Sequence, residues 1–230
     1  MKIISEEKAA VYISSWSGGK DSCFACYKAL QAGYKVTYLV NFISKEYKRV
    51  SFHGIEGRLI KIQSELAGIP LYQKETTPNN YESEFKDAVK SLAHHEIKGM
   101  VFGDIYLEEH RQWVERVCKE LGLEPIEPLW ERNTEELMHD FINNGFHAVV
   151  VSGQAKFIDK QWIGQPINRD FMEYLKTKPD VDICGENGEY HTFVIAGPLF
   201  KEGRIKITEK EVINRNGYWF LDIKDYRVIS

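Results

Sequence analysis

"SSWSGGKDSCFACYKAL", residues 14–30, sets two glycines, a lysine and an aspartate among serines, between an apolar run and a helical one. Upstream, AVYISSW (10–16) reads as a buried strand. Downstream, Phe24, Tyr27, Ala29 and Leu30 in CFACYKALQAG suit a helix that closes at Gly33. Amides freed by glycine, together with the first turn of a helix, form a cradle for an anion. The helix terminus alone supplies roughly 0.3–1 kcal/mol when exposed and up to ~2 kcal/mol when partly buried. A phosphate group therefore needs Lys20 as a cation and Ser17 and Ser22 as hydroxyl donors. Asp21 beside an anion is explained by a Mg²⁺ ion bridging phosphates, or by helix capping. The spacing is too short for GxxxxGK[ST], and GxGxxG is absent.

Working outward, KVTYLVNF (35–42) is a strand and EGRLIKIQSELAGI a helix with Leu59, Ile62 and Leu66 on one face. IPLYQKET is β-like, and Asn79 or Asn80 caps YESEFKDAVKSLAHH, where Phe85, Val89 and Leu92 share a face. GMVFGDIY is a strand ending in Gly-Asp and EEHRQWVERVCKELG a helix with Trp113, Val117 and Leu121 inward. This alternation predicts an α/β, Rossmann-like fold: a mainly parallel sheet with helices on both faces. Ligands then bind beyond the carboxyl ends of the strands, at Trp16–Ser22, Val40–Phe42 and Gly103–Asp104.

After EPLW (127–130) the character changes. NTEELMHDFINNG reads as a capped helix and FHAVVVSGQA as a strand that carries the α/β pattern to about residue 153. An irregular KFIDKQWIGQPINRD, a short helix at FMEYLK and a turn-rich CGENGEYHTFVIAGP follow. The tail RIKITEKEVINRNGYWFLDIKDY alternates like antiparallel strands. The expected organisation is a nucleotide-binding domain over 1–130 and a smaller C-terminal α+β domain over 131–230, with the boundary inside 125–155.

Composition narrows the class. The 230 residues are 43% apolar and 13% aromatic, enough for a sizeable core. The net charge of −4 offers no electrostatic footprint for nucleic acid. MKIISEEKAA lacks the apolar stretch of a signal peptide, and no run reaches a membrane span. Four cysteines are too few for a disulfide scaffold, so a cytoplasmic, reducing setting is expected.

Other side chains have competing readings. Cys23 and Cys26 form a CxxC that is either two small core residues or a reactive pair at a helix N-terminus, with core packing preferred. His94 and His95 are read as helix-end residues, and His53, in a Gly-flanked loop, as a contact to phosphate or acceptor. Asp104 follows Gly103 at a strand end, and Arg111 with Glu115 makes an i,i+4 pair. Trp113, Trp130 and Trp162 are assigned to packing. Glu186, Asn187, Gly188, Glu189, Tyr190 and His191 crowd one turn, where carboxylates suit ammonia or a cationic acceptor.

SGGKDS directly after a strand resembles the PP-loop of the ATP pyrophosphatases, which cleave ATP to AMP and pyrophosphate while adenylating an oxygen-bearing substrate. GENGEYHTFV (185–194) resembles the signature of the diphthine–ammonia ligase family, with further echoes in FHG (52–54), VFGDI (101–105), RQWVERVC (111–118), EPLW and WIGQPI (162–167). The resemblance covers nearly the whole chain. It implies ATP and Mg²⁺ as cofactors, ammonia as nitrogen donor and a carboxylate acceptor, diphthine on the translocation elongation factor. It places ATP on Ser15, Trp16, Ser17, Gly18, Gly19, Lys20, Asp21, Ser22, Val40, Asn41, Gly103 and Asp104, and Mg²⁺ on Asp21. The acceptor falls to Arg111 and Glu186–His191, and the chemistry to Lys20, Asp21, Ser22, His53, Glu186 and Glu189. His191 stands where many members of the family carry an acidic residue. A homodimer, an adenylating or thiolating enzyme acting on RNA, and an ATP-binding sensor without turnover remain open alternatives.

Overall fold

The computed structural model describes residues 10–51, 53–92 and 96–230. The expectations for 1–9, for Phe52 and for His94 and His95 lie outside the described residues.

Strand β1 (Val11–Ser15) runs into helix α1 (Lys20–Gln31), and β2 (Lys35–Ser44), α2 (Gly57–Ala67), β3 (Leu71–Thr76), α3 (Tyr81–Leu92), β4 (Ile97–Val101), α4 (Glu108–Leu121) and β5 (Glu124–Ile126) follow. The five strands pair in the order β3-β2-β1-β4-β5, every pair parallel. Sequence order reverses between β1 and β4, which is where such sheets hold ligands. The apolar faces close the sheet from both sides. Phe85, Val89 and Val117 cover one face with Ile13 and Met100, while Phe24, Leu59 and Ile60 join the core on the other. Asn80 precedes α3, but its side-chain oxygen accepts the Thr77 amide at 2.6 Å, so it braces the entering chain instead of capping forward.

Helix α5 (Thr134–Asn143) starts at Asn133, whose side chain accepts the Glu136 amide at 3.0 Å. Strand β6 (His147–Gln154) comes next, then helix α6 (Arg169–Lys176) and strands β7 (Tyr190–Ala196), β8 (Arg204–Arg215) and β9 (Tyr218–Ile229). These strands form a second sheet, β7-β6-β9-β8, antiparallel throughout. The expectation that β6 extends the parallel pattern is thus corrected. Six consecutive buried residues in β6 leave no alternation from which pairing direction can be read. One apolar cluster runs unbroken from Trp16 and Phe24 through Phe141 and Phe146 to Phe193 and Ile223, so the two sheets share a core. No described helix is long and apolar enough to cross a membrane.

Candidate active site

Residues 16–20 leave β1 at its carboxyl end and enter α1 through a turn that only glycine accommodates. Gly18 has φ +80°, and a Cβ there would lie 2.5 Å from Gln63 Oε1. A Cβ on Gly19 would lie 2.6 Å from His53 Cε1. Inside the loop, the Ser17 and Ser22 hydroxyls lie 3.1 Å apart, Ser22 Oγ accepts the Ser17 amide at 3.2 Å, and Ser17 Oγ accepts the Gly19 amide at 3.3 Å.

Strand β7 and the turn before it close over this loop. The Lys20 amide donates to Thr192 Oγ1 at 2.9 Å, and Val194 N donates to the Gly18 carbonyl at 2.9 Å. Buried Gln63 completes the clamp: its Oε1 accepts Trp16 Nε1 at 2.9 Å, while its Nε2 donates to the Gly18 and Val194 carbonyls at 3.0 and 2.8 Å. Lys20, only 4% exposed, binds both Asp21 oxygens at 2.8 Å and the Cys184 carbonyl, with its Nζ 5.6 Å from the centre of the Tyr190 ring. Burial alone would depress the ammonium, but the Asp21 carboxylate reverses this and holds Lys20 above its ordinary value. A cavity of about 10 Å³ lies against Lys20, Asp21, Phe24 and Cys184. A separate depression of about 640 Å³, beside Asp159–Ile163 and Val212, contains none of the expected residues.

His53 and His191 meet at this loop. Their rings are 4.7 Å apart, and His53 Nδ1 lies 3.0 Å from the Thr192 carbonyl. Burial pushes His53 down to about 4 and His191 well below its ordinary value; each also feels Lys20, so both imidazoles are neutral at pH 7. His191 thus packs its ring against His53, beside the glycine loop.

The turn Asp182–Glu189 is tied by its own carboxylates. Glu189 Oε1 accepts the Asp182 amide at 2.9 Å, and Asp182 Oδ2 accepts the Cys184 and Glu186 amides at 2.9 and 3.1 Å. Glu186 Oε1 accepts the Ile105 amide at 2.8 Å, joining this turn to the loop after β4. Burial, reinforced by Asp21, raises the Glu186 carboxyl to about 7. The Tyr190 hydroxyl donates to the Ile183 carbonyl at 2.5 Å, so its buried ring packs under Lys20 as a wall. Gly188 accepts Gln154 Nε2 through its carbonyl at 2.9 Å.

β4 stops at Val101, just before the strand end expected at Gly103–Asp104, and both of these residues lie in the loop after it. A Cβ on Gly103 would lie 2.8 Å from the Asp21 backbone carbon, so glycine lets this loop reach the start of α1. Asp104 pairs with His110 at 3.0 Å. Arg111 binds Glu115 at 3.0 Å and stacks on Trp130 at 4.6 Å, beside Glu127, whose carboxyl burial lifts to about 6.

Several of the expected residues have partners within the fold. Val40 is fully buried, its side chain in one apolar cluster with Ile13, Phe42 and Phe85. Asn41 is spent on the Trp16 carbonyl at 2.7 Å and on Gln73 at 2.9 Å, which fixes the loop from below. Cys23 and Cys26 are wholly buried, and burial raises both thiols, Cys26 to about 12; the packing reading of the CxxC holds. Trp113 does pack in the core, with its indole nitrogen donating to Glu82 at 3.0 Å. Both Asp21 oxygens are held by Lys20, and no group of three metal-ligating side chains converges among the described residues. The residues present therefore do not form a protein cage for Mg²⁺. Gln63, Thr192 and Asp182 were missed. For Gln63 a signal existed, a polar residue beside Leu59 and Ile60 on an apolar helix; for Thr192 and Asp182 only long-range pairing gives them work.

The comparisons agree with this assembly. Residues 8–125 match the model of the diphthamide synthase N-terminal domain, and residues 133–229 that of its C-terminal domain. The chain is 28% identical to a bovine (Bos taurus) diphthine–ammonia ligase and 29% identical to the human (Homo sapiens) one. Each alignment covers 93% of this chain and 89% of the relative. It is also 29% identical to the enzyme of that name from the fission yeast Schizosaccharomyces pombe, over 87% of this chain and 36% of that longer protein. Both halves of the chain match, as do the loop at the end of β1 and the turn that closes over it: the chain belongs to the diphthamide synthase family.

Proposed function

We propose that this protein is an ATP-dependent carbon–nitrogen ligase that converts the carboxylate of diphthine, on the translocation elongation factor, to an amide with ammonia. The observation that carries the reading is the direct contact between Lys20 of the glycine loop and Cys184–Thr192 of the C-terminal turn, in a chain that matches the family over both halves.

In this reading the ATP phosphates engage Ser17–Ser22, taking the Lys20 ammonium from the Cys184 carbonyl. The acceptor carboxylate attacks the α-phosphorus, and pyrophosphate leaves. Lys20 and the loop amides stabilise the charge growing on the leaving group. Ammonia then attacks the acyl carbon, and AMP is expelled. The turn Glu186–His191, adjoining the loop, is assigned to orienting the acceptor. The neutral His53 is assigned to shaping the loop beside Gly19.

The test supplies the purified protein with ATP, a magnesium salt, ammonium chloride and elongation factor carrying diphthine. AMP and the intact mass of the acceptor are followed. The expected result is AMP together with a carboxyl-to-amide mass change. Lys20→Ala should reduce AMP release by on the order of 10²–10³; wild-type release from that variant removes the phosphate assignment. AMP release with an unchanged acceptor retains adenylation and rejects diphthine as the substrate.

A further inference from the structure

The turn that closes over the glycine loop carries more negative charge than its neighbours neutralise. Glu189 is 1% exposed. Its Oε1 accepts the Asp182 amide and, at 3.1 Å, Asn187 Nδ2, whereas its buried Oε2 has no hydrogen-bond partner. An orphaned buried carboxylate oxygen is costly unless a donor or cation meets it. Asn187 Nδ2 also lies 3.1 Å from the Tyr106 hydroxyl, so the 38%-exposed Tyr106 ring flanks the same turn. Glu186 spends Oε1 on the Ile105 amide and so spans from this turn to the loop after β4. Asp21, Asp104 and Asp182, whose Oδ2 accepts the Glu186 amide, add to its negative surroundings, with Lys20 and His110 the cationic groups that face it and Tyr106 and Cys184 further titratable neighbours. An orphaned oxygen so deeply enclosed suits a small cation rich in N–H donors.

We propose that the carboxylates of Glu189 and Glu186, beside the Tyr106 hydroxyl, form the ammonium subsite, in which Glu189 holds the ion and Glu186 takes its proton. The assignment rests on the ligase reading above. Ammonium gives one proton to Glu186 and becomes ammonia. The nitrogen lone pair forms the C–N bond at the acyl carbon, and the C–O bond to AMP breaks with its electron pair leaving on the phosphate oxygen. The new amide nitrogen sheds a second proton to water. A carboxyl raised to about 7 by burial is matched to this transfer near neutral pH.

Glu186→Gln is assayed in the full chain with ATP and diphthine-bearing elongation factor, using ammonium chloride or hydroxylamine as nucleophile at pH 7. Hydroxylamine is largely unprotonated there and needs no base. Whatever the substitution costs through acceptor placement falls on both nucleophiles alike, so turnover with ammonium should fall about 10²–10⁴-fold further than turnover with hydroxylamine. In Glu189→Gln, confirmed folded by circular dichroism, the KM for ammonium should rise at least about tenfold with the KM for ATP unchanged. If that variant does not fold, the nucleophile comparison in Glu186→Gln decides alone. Equal loss with both nucleophiles overturns the proposal in favour of a structural role. A raised KM for the acceptor, with that for ammonium unchanged, overturns it in favour of a cationic group on the acceptor. If wild-type protein makes no AMP with either nucleophile, the ligase reading falls, and this assignment with it.

Discussion

Replacing Gln63 by leucine tests the clamp on the glycine loop. Gln63 is 0% exposed and makes three hydrogen bonds, to Trp16 Nε1, the Gly18 carbonyl and the Val194 carbonyl. Leucine fills comparable space but leaves the buried Trp16 N–H unpaired. The Gly18 carbonyl keeps its bond from Val194 N, so its loss is partial. At roughly 1–3 kcal/mol for each buried group left unsatisfied, Gln63→Leu should cost about 2–4 kcal/mol. Urea unfolding measures this directly, as a fall in midpoint at unchanged slope. Gln63→Glu gives the sharper comparison: its carboxylate can still accept from Trp16, but it faces two carbonyls where the amide donated. At pH 7 it should be less stable than Gln63→Leu, and it should recover as acid restores a donor on the protonated carboxyl. A cost below about 1 kcal/mol for leucine, or glutamate as stable as leucine at pH 7, would refute the clamp.

The half-buried histidines give a pH dependence. With His53 near 4 folded and about 6.5 unfolded, the unfolded chain binds the extra proton between those values. Stability is therefore full above about pH 6.5 and lost as pH falls towards 4. Between pH 7 and 5 this amounts to about 2 kcal/mol. Glu186 acts in the opposite sense, since its raised carboxyl favours the folded state as pH falls from 7, so the measurement is the difference between wild type and His53→Gln. An identical pH slope in the two proteins would contradict the placement of His53. All four cysteines are buried, so a thiol-selective disulfide reagent should label none of them in the native protein and all four in denaturant. Rapid native labelling of Cys23 or Cys26 would revive the reactive reading of the CxxC.

The strand, glycine turn and helix at residues 10–33 were legible because each is dictated locally: an apolar run, glycines at a turn, then a 3.6-residue period. The same local rules exposed the parallel sheet, and the acidic turn at 185–191 stood out by its chemistry alone. What the sequence could not carry was which distant groups meet. Val40 and Asn41 lie inside β2, which runs on to Ser44 beyond the expected end, and one side chain is enclosed in the core while the other is held by Trp16 and Gln73. β6 looked like one more parallel strand because its buried run has no alternation, and its antiparallel partners lie some 40 and 70 residues farther along the chain. Gln63 and Thr192 are ordinary polar residues until the fold brings them to Gly18 and Lys20. Local sequence determined the glycine loop and the sheet that presents it, since backbone geometry and hydrophobic period are short-range properties. Only the tertiary structure decided that the C-terminal turn closes over the loop, because hydrogen bonds and burial depend on partners as far apart in sequence as Gly18 and Val194.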